Sequence, residues 1–149
     1  GGGSASGATP SGESEGLESF EPCVFFQPEE LTSFGLSTQA KEFTQVSFQP
    51  GCSWDGDKFG LALQKNADET VESLRAGAWD EYADVQIAGR RAARVIPVGA
   101  TGQGVCNVVV PAGEGVALYQ LTGFFKDSVA DPCGEIEKIA GQTASRLPE

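Results

Sequence analysis

Few residues of this chain are able to do chemistry. There are four cysteines, Cys23, Cys52, Cys106 and Cys133, with no histidine and no methionine anywhere, and one acidic cluster, Asp80, Glu81 and Asp84, directly after Trp79. A catalytic or redox thiol acts as its thiolate, and the partner that usually holds a thiolate is histidine. The absence of histidine also removes the Ser-His-Asp arrangement and imidazole general bases. A zinc site built on all four cysteines would bring its ligands in closely spaced pairs, and no two cysteines here are near in sequence. An even cysteine count without such spacing points to two disulfides, and so to an oxidising compartment outside the cytoplasm.

The carboxylates are the remaining chemistry. Tryptophan beside acids is a sugar-site composition, and a glycan hydrolase would need two carboxyl groups about 5 to 10 Å apart with one pKa raised. A solvated acidic loop is the plainer expectation. Trp79 itself is either a partly exposed binding residue or a plug beneath that loop. Arg90, Arg91 and Arg94 form the one basic cluster, readable as a solvated hairpin face or as a site for a small anion or acidic partner. The formal net charge of -11 disfavours nucleic acid and anionic membranes as partners, because both are bound through clustered Lys and Arg. Gly99-Ala100-Thr101-Gly102-Gln103-Gly104 looks like a phosphate loop, yet it should join two strands, opens no helix and has no Lys. Asp55-Gly56-Asp57 looks like the start of a calcium loop, but no glutamate closes the twelve-residue frame. No metal or cofactor is expected.

The elements that position these residues follow from periodicity. Residues 1–19, GGGSASGATPSGESEGLES, have the composition of a flexible tether; residues 20–149 should form one globular domain. No basic start with an apolar h-region is present and no stretch approaches the roughly 20 apolar residues that span a bilayer, so any export signal is expected to have been removed. Pro28, Glu29 and Glu30, stopped by Gly35, predict a short helix over 28–34. Period-two runs follow, with Val46 and Phe48, then Cys52 and Trp54, then Phe59, Leu61 and Leu63, and Asp55-Gly56 marks a hairpin between the last two. A helix over 67–76 should open at Asn66 or Asp68. Four apolar runs, at Val85 to Ile87, Val95 to Val98, Val105 to Val110 and Val116 to Phe124, predict an antiparallel meander. Asp131 as cap and Pro132 in the first turn open a last helix over 132–147.

Four cysteines allow three pairings. Cys23 and Cys133 both follow an acidic-Pro pair near a helix start, whereas Cys52 and Cys106 both sit in predicted strands. Pairing like with like joins Cys23 to Cys133, clamping the terminal segments together, and Cys52 to Cys106, beside a core Trp54.

Taken in order, Glu21-Pro22-Cys23, the helix at Leu31 to Gly35, Gly51-Cys52-Ser53-Trp54, Ile87-Ala88-Gly89-Arg90-Arg91-Ala92, Cys106-Asn107-Val108 and Asp131-Pro132-Cys133 resemble the actinobacterial lipoprotein family catalogued as domain of unknown function 3558. The resemblance covers about residues 20–148, and Gly-Cys-Ser-Trp and the terminal Asp-Pro-Cys helix are its most specific parts. It implies an exported lipoprotein, made with a signal peptide, whose lipid-bearing cysteine precedes the tether. No lipobox is visible, and Glu21 stands where the family more often has Asp. The family brings no established activity or catalytic residue. By analogy its architecture is similar to PsbP-like folds and extracellular sensor domains, which licenses no function.

The expectation is therefore an α+β domain with a twisted antiparallel sheet of five to seven strands, two or three helices packed on it, and two disulfides. Functionally it is a monomeric, non-enzymatic binding module for an envelope protein or small ligand, on the outer face of the cell membrane and touching that membrane only through a lipid anchor. The alternatives are a carrier of an apolar molecule or lipid between sheet and helices, and the carboxylate-dependent hydrolase of cell-wall glycan.

Overall fold

The computed structural model describes residues 16–44 and 46–149; most of the expected tether, residues 1–15, lies outside them. Seven strands form, β1 (Lys41–Glu42), β2 (Gly51–Asp55), β3 (Phe59–Asn66), β4 (Trp79–Ile87), β5 (Arg90–Pro97), β6 (Val105–Ala112) and β7 (Gly115–Gly123), with helices α1 (Gly16–Ser19), α2 (Pro28–Ser33), α3 (Val71–Arg75) and α4 (Pro132–Thr143). Short 3-10 turns occupy Pro22–Val24 and Ala144–Arg146. The strands make one antiparallel sheet in the order β1-β2-β3-β7-β6-β5-β4. This is the α+β fold with two disulfides that the periodicity predicts.

Strands β4 to β7 are the expected meander, but β3 pairs with β7, so the chain must cross from the middle of the sheet to its far edge before β4. Helix α3 sits in that crossover. Val71 and Leu74 consequently pack on one face of the sheet with Ala93, Val95, Val109 and Val116. The opposite face carries α4, whose Ile136, Ile139 and Ala140 bury against Ala92, Val108, Tyr119 and Leu121. Because strand side chains alternate between faces, neighbouring residues of β5 serve different cores.

Local chemistry sets the boundaries. The Glu30 carboxylate accepts the Gln27 backbone N–H (3.0 Å) at the start of α2, and Asp131 accepts that of Gly134 (3.1 Å) at the start of α4. Helix α3 is shorter than predicted. Its cap is Thr70, whose hydroxyl accepts the Ser73 N–H (3.0 Å) while Ser73 returns the bond to the Thr70 N–H (2.8 Å), since Asn66 is used inside β3 and its side chain instead turns the chain at Asp68 (2.8 Å). The β2–β3 hairpin forms at Asp55-Gly56 as expected. Gly51 opens it because a Cβ there would lie 2.2 Å from the Leu63 carbonyl oxygen.

Three expectations are corrected. Residues 16–19 belong to the fold: Leu17 is fully buried, and the Lys65 ammonium donates to the carbonyls of Leu17, Glu18 and Phe20 (2.9, 2.9 and 2.7 Å). Val46 and Phe48 lie outside any strand and are exposed, because Gln64 and Asn66 hold Gln49, through its carbonyl and side chain, in a loop across the sheet corner (3.3 and 3.0 Å).

The third correction is the disulfide pairing: Cys23 joins Cys52 and Cys106 joins Cys133, each with Cα atoms 5.1 Å apart. Strands β2 and β6 are separated by β3 and β7, so at about 4.8 Å per step their cysteines lie at least roughly 14 Å apart, twice the limit of about 7 Å for a bridge. Each bridge instead fastens a helical turn to the strand beneath it. The terminal segments are held by other means. Arg146 makes a two-pronged contact with Glu30 (2.8 and 2.8 Å), and its guanidinium lies 4.9 Å from the Phe25 ring centre.

Trp54 is core, as expected, 1% exposed and edge-on to Phe26 at 5.1 Å. On the same face Tyr119 is buried, and its hydroxyl meets that of Thr143 at 2.8 Å.

Candidate functional site

The clearest cleft lies where α3 crosses the outer pair of strands, β4 and β5, and has a volume of about 480 Å³, within the usual range of ligand sites. Val71 of α3 supplies an apolar wall, the strands contribute Val85 and Ala92, whose side chains alternation turns to the α4 face, and the rim is charged, with Glu72, Arg75, Asp84 and Arg91. Arg75 is the last residue of α3 and is bonded to Asp84 of β4, an ion pair that holds the arginine pKa above its ordinary value. The Arg75 guanidinium also stands 5.6 Å from the Tyr82 ring centre. Arg91, cross-strand from Gln86, makes no hydrogen bond or ion pair among the described residues. An oxyanion brought into the cleft would therefore meet an uncommitted guanidinium with an amide beside it.

The three arginines do not act together. Alternation on β5 turns Arg90 and Arg94 towards α4 and Arg91 towards α3. Arg90 donates to the carbonyls of Pro111, Leu147 and Pro148 (2.8, 2.8 and 2.9 Å), which locks down the C-terminal end. Arg94 pairs with Glu137 of α4 at 2.9 Å. Only Arg91 lines the cleft.

Trp79 is the plug of the two readings. It opens β4 instead of lying in a loop, and its indole N–H donates to the Leu74 carbonyl at 2.6 Å, which fixes the end of α3. The acidic residues around it part company as well. Asp80 accepts from the backbone of Gly99 (3.0 Å) and from the hydroxyl of Thr101 (2.9 Å), and that hydroxyl bond, ahead of the backbone bond from Gly99, holds its carboxyl below the ordinary value of 3.8. Asp84 is occupied by Arg75, and the exposed Glu81 side chain has no bonding partner among the described residues. A general acid needs its pKa raised, and Asp80 moves the other way.

The layer between α4 and the sheet, where an apolar cargo would have to sit, is filled by fully buried Val108, Tyr119, Leu121, Ile136 and Ile139. The lookalike loops behave as turns: 98–104 joins β5 to β6, and Asp55-Gly56 joins β2 to β3. Among the described residues no helix is long and apolar enough to cross a membrane, and no cluster of three or more metal-ligating side chains forms.

Glu72, Arg75 and Gln86 escape the sequence reading because nothing local marks them. They meet Arg91 only through the β3-to-β4 crossover. The signal that was available is Arg75, a cation at the end of a capped helix a few residues before an acidic strand.

The family model described as "Protein of unknown function (DUF3558)" matches residues 1–146. Comparison with the curated proteins and with the solved structures found no match.

Proposed function

The chain belongs to the family described as Protein of unknown function (DUF3558), and from that premise we propose that it is a tethered, non-enzymatic recognition domain of the actinobacterial envelope. It is exported as a lipoprotein and stands outside the membrane. The observation that carries the reading is the cleft between α3 and the β4–β5 edge, with an uncommitted Arg91 on its rim. Both disulfides are the type that persists in an oxidising compartment. Recognition without turnover is favoured because Asp80 and Asp84 are each engaged in holding structure.

Two measurements test it. Thiol labelling of protein recovered from the envelope should find no free cysteine and a lipid-modified N-terminus; reduced, unlipidated protein in the cytosol would defeat the placement. Chemical-shift mapping of the labelled domain against envelope peptides and glycan fragments should cluster on residues 71–75, 84–86 and 91. Shifts elsewhere, or turnover of a fragment abolished by Asp84→Asn, would defeat the role.

A further inference from the structure

The cleft does not end in a wall. Along one side it is bordered by Asp84, Val85 and Gln86, three successive residues of β4, and β4 is the last strand of the sheet. The two edges of this sheet are finished differently. The β1 edge is only two residues long, the blunt form that proteins use to keep an edge from recruiting strangers. The β4 edge runs for nine residues, and none of its first eight is buried. Nor does it carry the proline or lysine that commonly guards a long edge.

What it carries is acid. With a bulge at its start, β4 turns Glu81 to the α4 side of the sheet and Asp84 to the α3 side, so a strand laid against it meets a carboxylate on either face, that of Glu81 unpaired among the described residues and that of Asp84 held through Oδ2 by Arg75. Glu72 of α3 adds a third at the cleft rim. Like charges set opposite each other across a strand pair are destabilising, so two copies of this chain, each at -11, are kept from joining through β4. The same charges select a strand of opposite sign. At the far end the sign reverses, because Arg91 stands beside Gln86 uncommitted. Glu81 and Gln86 are five residues apart, roughly 17 Å of strand, so the pattern spans about six or seven residues of a partner.

Resting on the reading of this cleft as a recognition site, we propose that its ligand is an extended segment of a partner protein that adds to the free edge of β4. One basic side chain of the segment lies against Glu81, a second against the Asp84 oxygen that Arg75 does not hold, and one carboxylate lies on Arg91. Backbone pairing supplies the attachment, and the charges set register and choice of partner.

The probes are two capped heptapeptides, KTVKTEV and VETKVTK, which set the same charges against Glu81, Asp84 and Gln86 in the parallel and antiparallel directions, with the charge-reversed counterpart of each, ETVETKV and VKTEVTE, and copies of the first two N-methylated at alternate amides. The intact chain is titrated with each by calorimetry, and amide exchange is followed at saturation. The expected result is binding by one of the first two, at least tenfold weaker binding by its methylated copy and by its charge-reversed counterpart, and slowed exchange within residues 80–86. Glu81→Lys should weaken that binding at least fivefold, and the exposed Glu81 side chain makes no bond among the described residues, so misfolding does not enter.

Binding that survives methylation, with shifts at Arg91 and α3 and no protection in β4, overturns strand addition and leaves the cleft as a small-ligand site. No binding by either peptide overturns strand addition; if envelope fragments also fail to shift the cleft, the recognition reading falls with it. Self-association of the chain that Glu81→Lys alters would make a second copy the occupant and likewise overturn the proposal.

Discussion

Removing the bridge between Cys106 and Cys133 by paired substitution to alanine tests the architecture most directly. The two residues are 27 apart, and on the chain-entropy account a closed loop of that size restrains the unfolded chain by about 3.6 kcal/mol. Cys106 is fully buried beneath α4, so losing its sulfur adds on the order of 1 kcal/mol of lost packing. The sum, about 4 to 5 kcal/mol, is a large share of the 5 to 15 kcal/mol typical of a domain. Urea unfolding should show a drop of that size, and the melting temperature should fall by about 10 to 18 °C at the usual conversion for a domain of this length. The single substitution Cys133→Ala sharpens the test, since it should free one thiol, and peptide mapping should find it at Cys106. Were the bridges paired like with like, that thiol would appear at Cys23. A loss below about 1 kcal/mol in the double variant, or labelling at Cys23 in the single one, refutes the argument from strand order.

Three further outcomes follow from named contacts. Arg90→Ala removes a half-buried guanidinium from three backbone carbonyls and should cost about 2 to 3 kcal/mol, with faster amide exchange at Leu147, while Arg90→Lys recovers only part because one ammonium cannot span all three acceptors. Arg146 bonded to Glu30 holds that carboxyl below its ordinary value of 4.5, so the stability it contributes is present above that pH and is lost as pH falls through the lower folded value; urea midpoints of Glu30→Gln measured from pH 6 downward should therefore fall less steeply than those of the parent. Ala88, in the two-residue turn between β4 and β5, has a φ of 52°, which costs a residue with a Cβ about 1 kcal/mol, so Ala88→Gly should raise stability by up to that amount and leave peptide binding unchanged.

What could be read from the chain was whatever neighbours in sequence decide. Asp55-Gly56 makes its hairpin and Asp131 with Pro132 opens its helix because a turn or a cap is settled within four residues. Cys52 and Trp54 fall on the buried face because alternation puts them there. Val46 and Phe48 alternate just as well and are still left in a loop, since Gln64 and Asn66 of the following strand capture Gln49 and draw the segment off the sheet. Trp79 was legible only as one of two possibilities. It heads an edge strand, and an edge strand solvated on both faces lacks the apolar alternation by which strands are recognised.

The cysteines and the cleft share one origin beyond the reach of local pattern, which is the pairing of β3 with β7. That single long-range choice places two strands between Cys52 and Cys106, so each cysteine takes the partner lying over its own strand. It also sends the chain across the sheet to begin β4, laying α3 over the outer strands and bringing Arg75 to Asp84 and Glu72 near Arg91. The disulfide map and the recognition cleft therefore stand or fall on the same strand order. A non-reducing peptide map that returned Cys23 with Cys52 and Cys106 with Cys133 would support the cleft as much as the bridges, although no cysteine lines it. A map linking Cys52 to Cys106 would require β2 and β6 to be neighbours. With β7 no longer between them, the crossover that builds the cleft would have no reason to form.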